Sequence, residues 1–400
     1  MGKTNHFRAI AAVVAVALSA GVLVSTGPAE AAFPGKNGKI VFVSDRVIPD
    51  NPTGDLEIFT MNPDGAALKQ LTFNTADELD PTYSPDGKRI AYTGFDGDHE
   101  IFTIPASGGA PTNVTNNATE DLDPSYSPDG SAIAYEDFDG ADDEIVKIPA
   151  SGGTPANVTS NVTADRDPVF SPNGERIAYT GFDSDAEVFT IPASGGAPTN
   201  VTENTTDDFG PAYSPGGKRI SYWTEDFGGA DDEIFTIPVT GGTPTNVTDN
   251  TTDDRAPAYS PDGKRIVYGS RVGPDWFDIF TIPAAGGTTA NLTNLTKEDS
   301  SPDWQTNSAS KITSVRPLGK TRDRTPLIRA TVRDRQTDLA KSGIRLFVDG
   351  KARPFTYDTA VDRLLHGSKK LSFGKHAVRV VARDEVGLKT TRRWSFKVVR

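Results

Sequence analysis

Apolar residues fall in short runs along most of this chain, and the runs recur. Ile90-Ala91-Tyr92 and Ile101-Phe102-Thr103-Ile104 are two of them, each bounded by Gly, Pro, Asp or Asn. Runs of this length, apolar at nearly every position, read as strands buried on both faces. A Pro-x-aromatic step precedes each group, at Pro81/Tyr83, Pro124/Tyr126, Pro168/Phe170, Pro211/Tyr213, Pro257/Tyr259 and Pro302/Trp304. The prolines are 43, 44, 43, 46 and 45 residues apart, the period of a propeller or solenoid. Within a unit, Ser84-Pro85-Asp86-Gly87 is a tight turn: proline presets φ at its second position, and glycine accepts positive φ. That turn joins a first strand at Pro81–Tyr83 to a second at Arg89–Tyr92. A third strand at Glu100–Ile104 ends in Pro105-Ala106-Ser107-Gly108-Gly109, and Asn113-Val114-Thr115 supplies a short fourth.

The two ends complete each other. Gly38–Phe42 matches the second strand of the unit but has no first strand before it, whereas Pro302-Asp303-Trp304 is a first strand with no hairpin after it. Five whole units and this split one predict six blades, closed by the late strand pairing beside the early ones. Radial closure leaves only short, protected sheet edges. The pattern S-P-D-G-K-R-I-A-Y followed by D-x-E-I-F-T-I-P resembles the TolB-type, WD-like β-propeller repeat over residues 38 to 305. Asn173 and Gly216 replace the turn aspartate, and Ser131-Ala132 replaces Lys-Arg, but every copy keeps the turn glycine. The resemblance implies an all-β, six-bladed propeller and protein–protein interaction at the cell envelope, as with TolB and its lipoprotein and translocation partners. The amino-terminal domain typical of TolB has no counterpart before the first blade, so membership of that system is not implied.

Residues 1–31 predict a cleaved signal peptide: Lys3 and Arg8, an apolar run from Ala9 to Val24, then Ala29-Glu30-Ala31. The run is short for a membrane span, so the mature protein is expected to be exported and extracellular, cell-surface or periplasmic. There is no cysteine, hence no disulfide, lipidation site or thiolate chemistry. The propeller is expected over 33–305, a polar linker over 306–310 and a second domain over 311–400. In that domain Thr325–Val332, Ile344–Gly350, His376–Ala382 and Trp394–Val399 read as strands at short intervals, a small β-sandwich. Its segments resemble bacterial Ig-like modules that decorate exported proteins.

Charge separates the two parts. The chain carries a net −13, yet Lys311–Arg400 holds 23 Lys and Arg against 8 Asp and Glu, and Phe33–Ser310 holds 16 against 45. An acidic propeller of that size repels nucleic acid and anionic surfaces. The basic domain suits an anionic wall polymer, or simply a solvated surface.

Most of the acids have repeat positions. Three residues before the repeat proline lie Glu78, Asp121, Asp165, Asp208, Asp254 and Asp299; one residue before it lie Asp80, Asp123 and Asp167, then Gly210, Ala256 and Ser301. Loops on the same expected face carry Asp96, Asp98 and Glu100, then Asp139, Asp142, Asp143 and Glu144, then Asp183, Asp185 and Glu187, then Asp231, Asp232 and Glu233. The opposite face receives Lys88-Arg89, Arg176, Lys218-Arg219 and Lys264-Arg265. Carboxylates ringing a channel mouth would suit Ca²⁺, which takes six to eight oxygens, or a cationic partner drawn by the field. The same acids also suit turn capping, copied six times by repetition.

Catalysis finds little to work with. Of four histidines, His6 lies in the signal segment, His366 and His376 in the second domain, and only His99 in the propeller. A Ser-His-Asp triad needs a well-placed imidazole and lacks its G-x-S-x-G elbow here. Propellers joined to prolyl-oligopeptidase-like peptidases are similar, but no α/β-hydrolase segment is present. Propeller lyases of similar repeat use several histidines around a metal. The expectation is a non-enzymatic binding or scaffold protein. The alternative is a carbohydrate-active or hydrolytic propeller enzyme using paired carboxylates and a divalent cation.

Overall fold

The computed structural model describes residues 33–49, 51–138, 140–225, 231–274, 276–307, 310–334, 339–384 and 389–400. The expected signal peptide and Asp139 lie outside the described residues.

Six four-stranded antiparallel sheets follow one another around an axis. Blade 2 is representative: Leu79–Tyr83, Arg89–Phe95, His99–Pro105 and Thr112–Asn113, paired in that order. The Ser-Pro-Asp-Gly turn forms as its chemistry dictates. The Gly87 amide bonds the Ser84 carbonyl at 2.7 Å, Gly87 sits at φ 68°, and the Arg89 amide donates to Ser84 Oγ at 3.0 Å. Blades 3 to 6 repeat the arrangement from Asp121, Asp165, Asp207 and Asp254 onward. Blade 1 is the split one. Asp299–Asn307 is its innermost strand, pairing antiparallel with Lys36–Ser44, then Glu57–Met61 and Lys69–Gln70. The closing strand runs through Asn307, past the expected start of the linker.

The core lies between blades, which is why the strands read apolar on both faces. Val41, Val43 and Ile58 of blade 1 pack on Tyr83, Ile90 and Tyr92 of blade 2. The ring is sealed where Trp304, Ile40 and Phe42 meet Ala258, Val267 and Ile279 of blade 6.

Each innermost strand carries one β-bulge. Register slips between Leu79 and Thr82, Leu122 and Ser125, Arg166 and Val169, Phe209 and Ala212, and Arg255 and Ala258. The residue before the repeat proline sits inside that bulge in left-handed conformation: Asp80, Asp123, Asp167, Gly210, Ala256 and Ser301 all have φ between 48° and 57°. A bulge re-aims the side chain it holds. At Ala256 and Ser301 the conformation has no glycine to ease it, so the blade around it must hold the strain.

Residues 311–400 form a β-sandwich. Lys311–Arg316, Leu327–Arg333, Arg363–Gly367 and Thr356–Asp358 make one sheet. Gly319–Thr321, Lys389–Val398, Gly374–Arg383, Ile344–Val348 and Lys351–Arg353 make the other. Ile328, Leu346, Leu364, Val380 and Phe396 fill the space between them. Among the described residues no helix is long and apolar enough to cross a membrane.

Candidate functional site

The acids that share one expected ring in the sequence divide into two structures. Those three residues before the proline are blade-to-blade staples. Asn117 shows how one works: its amide Nδ2 donates to Asp121 at 2.7 Å in blade 3, while its backbone N–H donates to Glu100 at 2.6 Å in blade 2. The Asn117 Oδ1 accepts from the Thr119 amide and hydroxyl, each at 2.6 Å, which fixes the asparagine. Asn161 joins Glu144 to Asp165, Asn204 joins Glu187 to Asp208, and Asn250 joins Glu233 to Asp254 in the same way. Asn74 joins Glu57 to Glu78 with a shorter contact to the glutamate. At the sixth junction Leu295 keeps only the backbone bond, to Asp278, and Asp299 is held by the Arg46 guanidinium at 2.6 Å.

All six of these carboxyl groups are buried. Burial is the largest influence on each, pushing Glu78 up to about 9, Asp121 to about 8, Asp165, Asp208 and Asp254 to about 7, and Asp299 to about 6. Glu78 lies against Glu57, and Asp121 against Asp137, which adds to both shifts. These six groups are therefore enclosed between blades rather than gathered at a channel mouth. The signal for this was in the sequence as Asn-x-Thr-x-Asp spacing, which the acid positions alone did not reveal.

The residues immediately before the prolines do converge. Ser301 Oγ donates to Asp80 Oδ1 at 3.0 Å, and Asp80 in turn is hydrogen-bonded to Asp123. The Asp123 amide donates to Thr93 Oγ1 of blade 2 at 3.2 Å. Asp167 Oδ2 accepts from Thr180 at 2.8 Å and from the Gly210 amide of blade 5 at 3.3 Å. The bulges have thus turned these residues to meet one another from blade to blade. Half the circle, blades 2 to 4, is carboxylate; the other half is Gly210, Ala256 and Ser301.

Glu136 joins the acidic half. It occupies the position in the second strand where Thr93 and Thr180 stand, and it lies buried against Asp123. Arg166 reaches it at 3.7 Å and grips Asp143 at 2.6 Å. Burial raises Asp123 first, with the charges of Asp80, Glu136 and Asp167 adding to it, and burial likewise raises Glu136. Asp167 rises only to about 6, because the Thr180 and Gly210 donors oppose burial. The arrangement is short of positive charge.

An arc of rings and guanidinium groups covers the other side of this face. Arg166 lies over Phe182 at 5.7 Å, Phe182 adjoins Phe209 at 6.3 Å, and Phe209 stacks on Trp223 at 4.8 Å. Arg255 lies over Trp223 at 4.9 Å and over Phe277 at 5.8 Å, anchored to Asp232 at 2.5 Å. Phe95 and Phe138, which end the second strands of blades 2 and 3, are 51% and 41% exposed beside the acidic half. The signal for this arc was the way aligned copies depart from one another: Thr93, Glu136, Thr180 and Trp223 share one repeat position, and Phe95, Phe138 and Phe182 another.

Asp96, Asp98 and Glu100 bring carboxylate oxygens within 4.8 Å of one another, the spacing a bound cation needs. Two of the three are already engaged: Asp96 accepts from the Asn113 amide, and Glu100 from Thr115 and the Asn117 backbone. The set therefore offers a hard cation lone pairs on partnered oxygens, a weak fit to the six to eight ligands of Ca²⁺. His99, which opens the third strand of blade 2, is hydrogen-bonded to Glu120 at 2.5 Å and edge-on to Phe95.

Six radial blades, a closing strand taken from the far end of the repeat region and a repeated Ser-Pro-Asp-Gly hairpin define a six-bladed, WD-like propeller. The sequence matches the family described as PD40, TolB beta propeller domain, over residues 29–180 and 166–325, and the chain belongs to that family. Among solved structures it is similar to TolB from Acinetobacter baumannii, at 20% identity over 68% of each chain with a TM-score of 0.59. It is also similar to a putative TolB from Agrobacterium tumefaciens, at 21% identity over 68% of this chain and 92% of that one, TM-score 0.54. Kuenenia stuttgartiensis hydrazine synthase aligns at 13% identity over 92% of this chain and 68% of that one, TM-score 0.57. At such identities the likeness is one of fold. No curated protein matches significantly in sequence.

Proposed function

We propose that this is an exported, non-enzymatic binding protein of the cell envelope, docking a cationic protein partner on the carboxylate-and-aromatic face of its propeller. The observation that carries the reading is the pair of exposed rings, Phe95 and Phe138, each two residues beyond Thr93 or Glu136 on the strands that meet Asp123 of the half-circle Asp80, Asp123 and Asp167. Apolar rings supply contact area and desolvated carboxylates supply selectivity for a basic group, the combination found in interface hot spots. The signal-like segment supports export, and the TolB-type repeat supports an envelope setting. The Ig-like character of residues 311–400 belongs to the same proposal, as a surface-decorating module.

Against turnover, His99 is hydrogen-bonded to Glu120, and the pair Glu57–Glu78 and Asp121 of the pair Asp121–Asp137 are buried between blades. The test is capture from the producing organism's envelope fraction with the parent chain, a Phe95→Ser/Phe138→Ser variant, and a Lys88→Ser/Lys218→Ser variant of the opposite face. Binding should be lost only in the phenylalanine variant. Equal capture by all three would remove this face from the reading, and turnover of a peptide, ester or polysaccharide would remove the non-enzymatic assignment.

A further inference from the structure

The five-stranded sheet of the second domain turns an almost wholly cationic face to solvent. Its two long strands, Gly374–Arg383 and Lys389–Val398, pair residue by residue, so the outward side chains can be read from the register. Lys375 faces Lys397, Arg379 faces Arg393, and Arg383 faces Lys389. Between these pairs stand Ala377 with Ser395 and Val381 with Thr391, all small or neutral. Arg345 adds a further cation from the next strand, opposite Val381.

Three features separate this face from an ordinary solvated surface. Directly opposed like charges destabilise a sheet, yet all three charged pairs here are like-charged. Asp349, which lies beside Ala377, is held by the His376 ring at 2.7 Å and the Ala377 amide at 2.9 Å rather than by the cation tiers, whereas the other sheet neutralises Arg333 with Asp362 at 2.8 Å. The pairs also recur every four residues, about 13 Å apart at strand rise, with small residues leaving recesses between them. One recess is a groove of about 360 Å³ lined by Arg345, Phe347, Arg379, Val381, Arg383 and Lys389. Arg379 lies over the Phe347 ring at 4.0 Å, so the ring forms a covered floor rather than an exposed stacking platform.

We propose that this face binds a linear polyol-phosphate polymer laid along the two long strands. Evenly spaced cation tiers match a chain with regularly repeated anions. Arg345, Arg379 and Arg393 offer planar forks that take phosphate oxygens two at a time, and Lys375, Lys389 and Lys397 serve as point charges. Nucleic acid also carries phosphodiesters, but single strands are held by base stacking on open aromatic rings. Phe347 is capped by Arg379, and Trp394 and Phe396 face the domain core. The proposal does not rest on the propeller face described above.

The test uses the full chain and purified poly(glycerol phosphate) as probe, with single-stranded DNA and polygalacturonate of equal charge for comparison. Binding at low salt should weaken at least tenfold in a Lys375→Gln/Arg393→Gln/Lys397→Gln variant. The slope of log K against log salt should fall by about 2, as the loss of three single-strand phosphate contacts gives. Neutralising Lys311, Arg329 and Arg363 on the other sheet should change the affinity less than twofold, and the Phe95→Ser/Phe138→Ser chain should bind the polymer unchanged. Since like-charge repulsion is relieved, the first variant should melt at or above the parent temperature. Failure to bind poly(glycerol phosphate), tighter binding of DNA or polygalacturonate, equal loss in the other-sheet variant, or a lower melting temperature would each overturn the proposal.

Discussion

Asn204 shows how much a single repeat residue holds. Its side chain donates to Asp208 in blade 5 and its backbone to Glu187 in blade 4, so one residue satisfies buried acids on both sides of a junction. Replacing it with alanine keeps the backbone bond and orphans the buried Asp208 oxygen, at a cost of about 1–3 kcal/mol. We expect Asn204→Ala to lower the urea midpoint accordingly. The same change at Asn246, whose Oδ1 caps an exposed turn at 3.0–3.1 Å, should cost less. Equal losses at both sites would show that Asn204 is no more than a turn former.

The acids these asparagines hold also set a pH dependence. Burial raises Asp165, Asp208 and Asp254 to about 7, Asp121 to about 8 and Glu78 to about 9. A carboxyl raised above its unfolded value binds its proton more tightly in the folded state. Its contribution is fully present below about pH 4 and is lost as pH rises through 7 to 9. Melting temperature should therefore fall between pH 5.5 and pH 9, and Asp165→Asn with Asp208→Asn should flatten that fall. A melting temperature that rises over this interval would contradict the assignment.

At the scale of elements, one strand decides whether the ring is closed. Asp299–Asn307 is buried along its whole length and supplies the inner edge of blade 1. A chain ending at residue 307 should unfold in one sharp transition. A chain ending at residue 298 leaves the edge of Lys36–Ser44 unpaired and an apolar slot where Trp304 packed, and an open edge invites aggregation. We expect the shorter chain to lose cooperativity or precipitate. Trp304→Ala, which empties the slot but keeps the strand, should cost about 3–5 kcal/mol. If residues 33–298 melt as sharply and as high as residues 33–307, closure by this strand is wrong.

At the scale of the whole molecule, the propeller's excess of carboxylates over cations is met in two ways. Buried acids are shared with asparagines or held near protonation, while those in the outer loops remain in water. Bulk salt screens the latter over about 8 Å at physiological strength, without ordering any of them. A cation bound at Asp96, Asp98 and Glu100 would instead stabilise the fold by mass action, about 2.7 kcal/mol at a hundredfold excess over its dissociation constant. Millimolar Ca²⁺ should then raise the melting temperature beyond NaCl of equal ionic strength, and Asp96→Asn/Asp98→Asn should erase the difference. Identical effects of the two salts would leave these loops as solvated charge.

The amino-acid sequence by itself determined the blade count, the four strands of each blade and the split closing blade. Those features follow from local chemistry, repeated: turn glycines, strand-length apolar runs and a period near 44 residues leave few other ways to bury the chain. It also marked the acids, but it could not divide them. Asp121 and Asp123 are two residues apart on one strand, yet one is locked between blades by Asn117 and the other joins Asp80 near the axis. The bulge between Leu122 and Ser125 makes that difference, because an extra residue in left-handed conformation redirects one side chain out of the strand's alternation. The stacked arc from Phe182 to Trp223 and Arg255 likewise joins three blades. Local chemistry repeats in the chain, while contacts such as Gly210 to Asp167, 43 positions apart, exist only once neighbouring blades have packed.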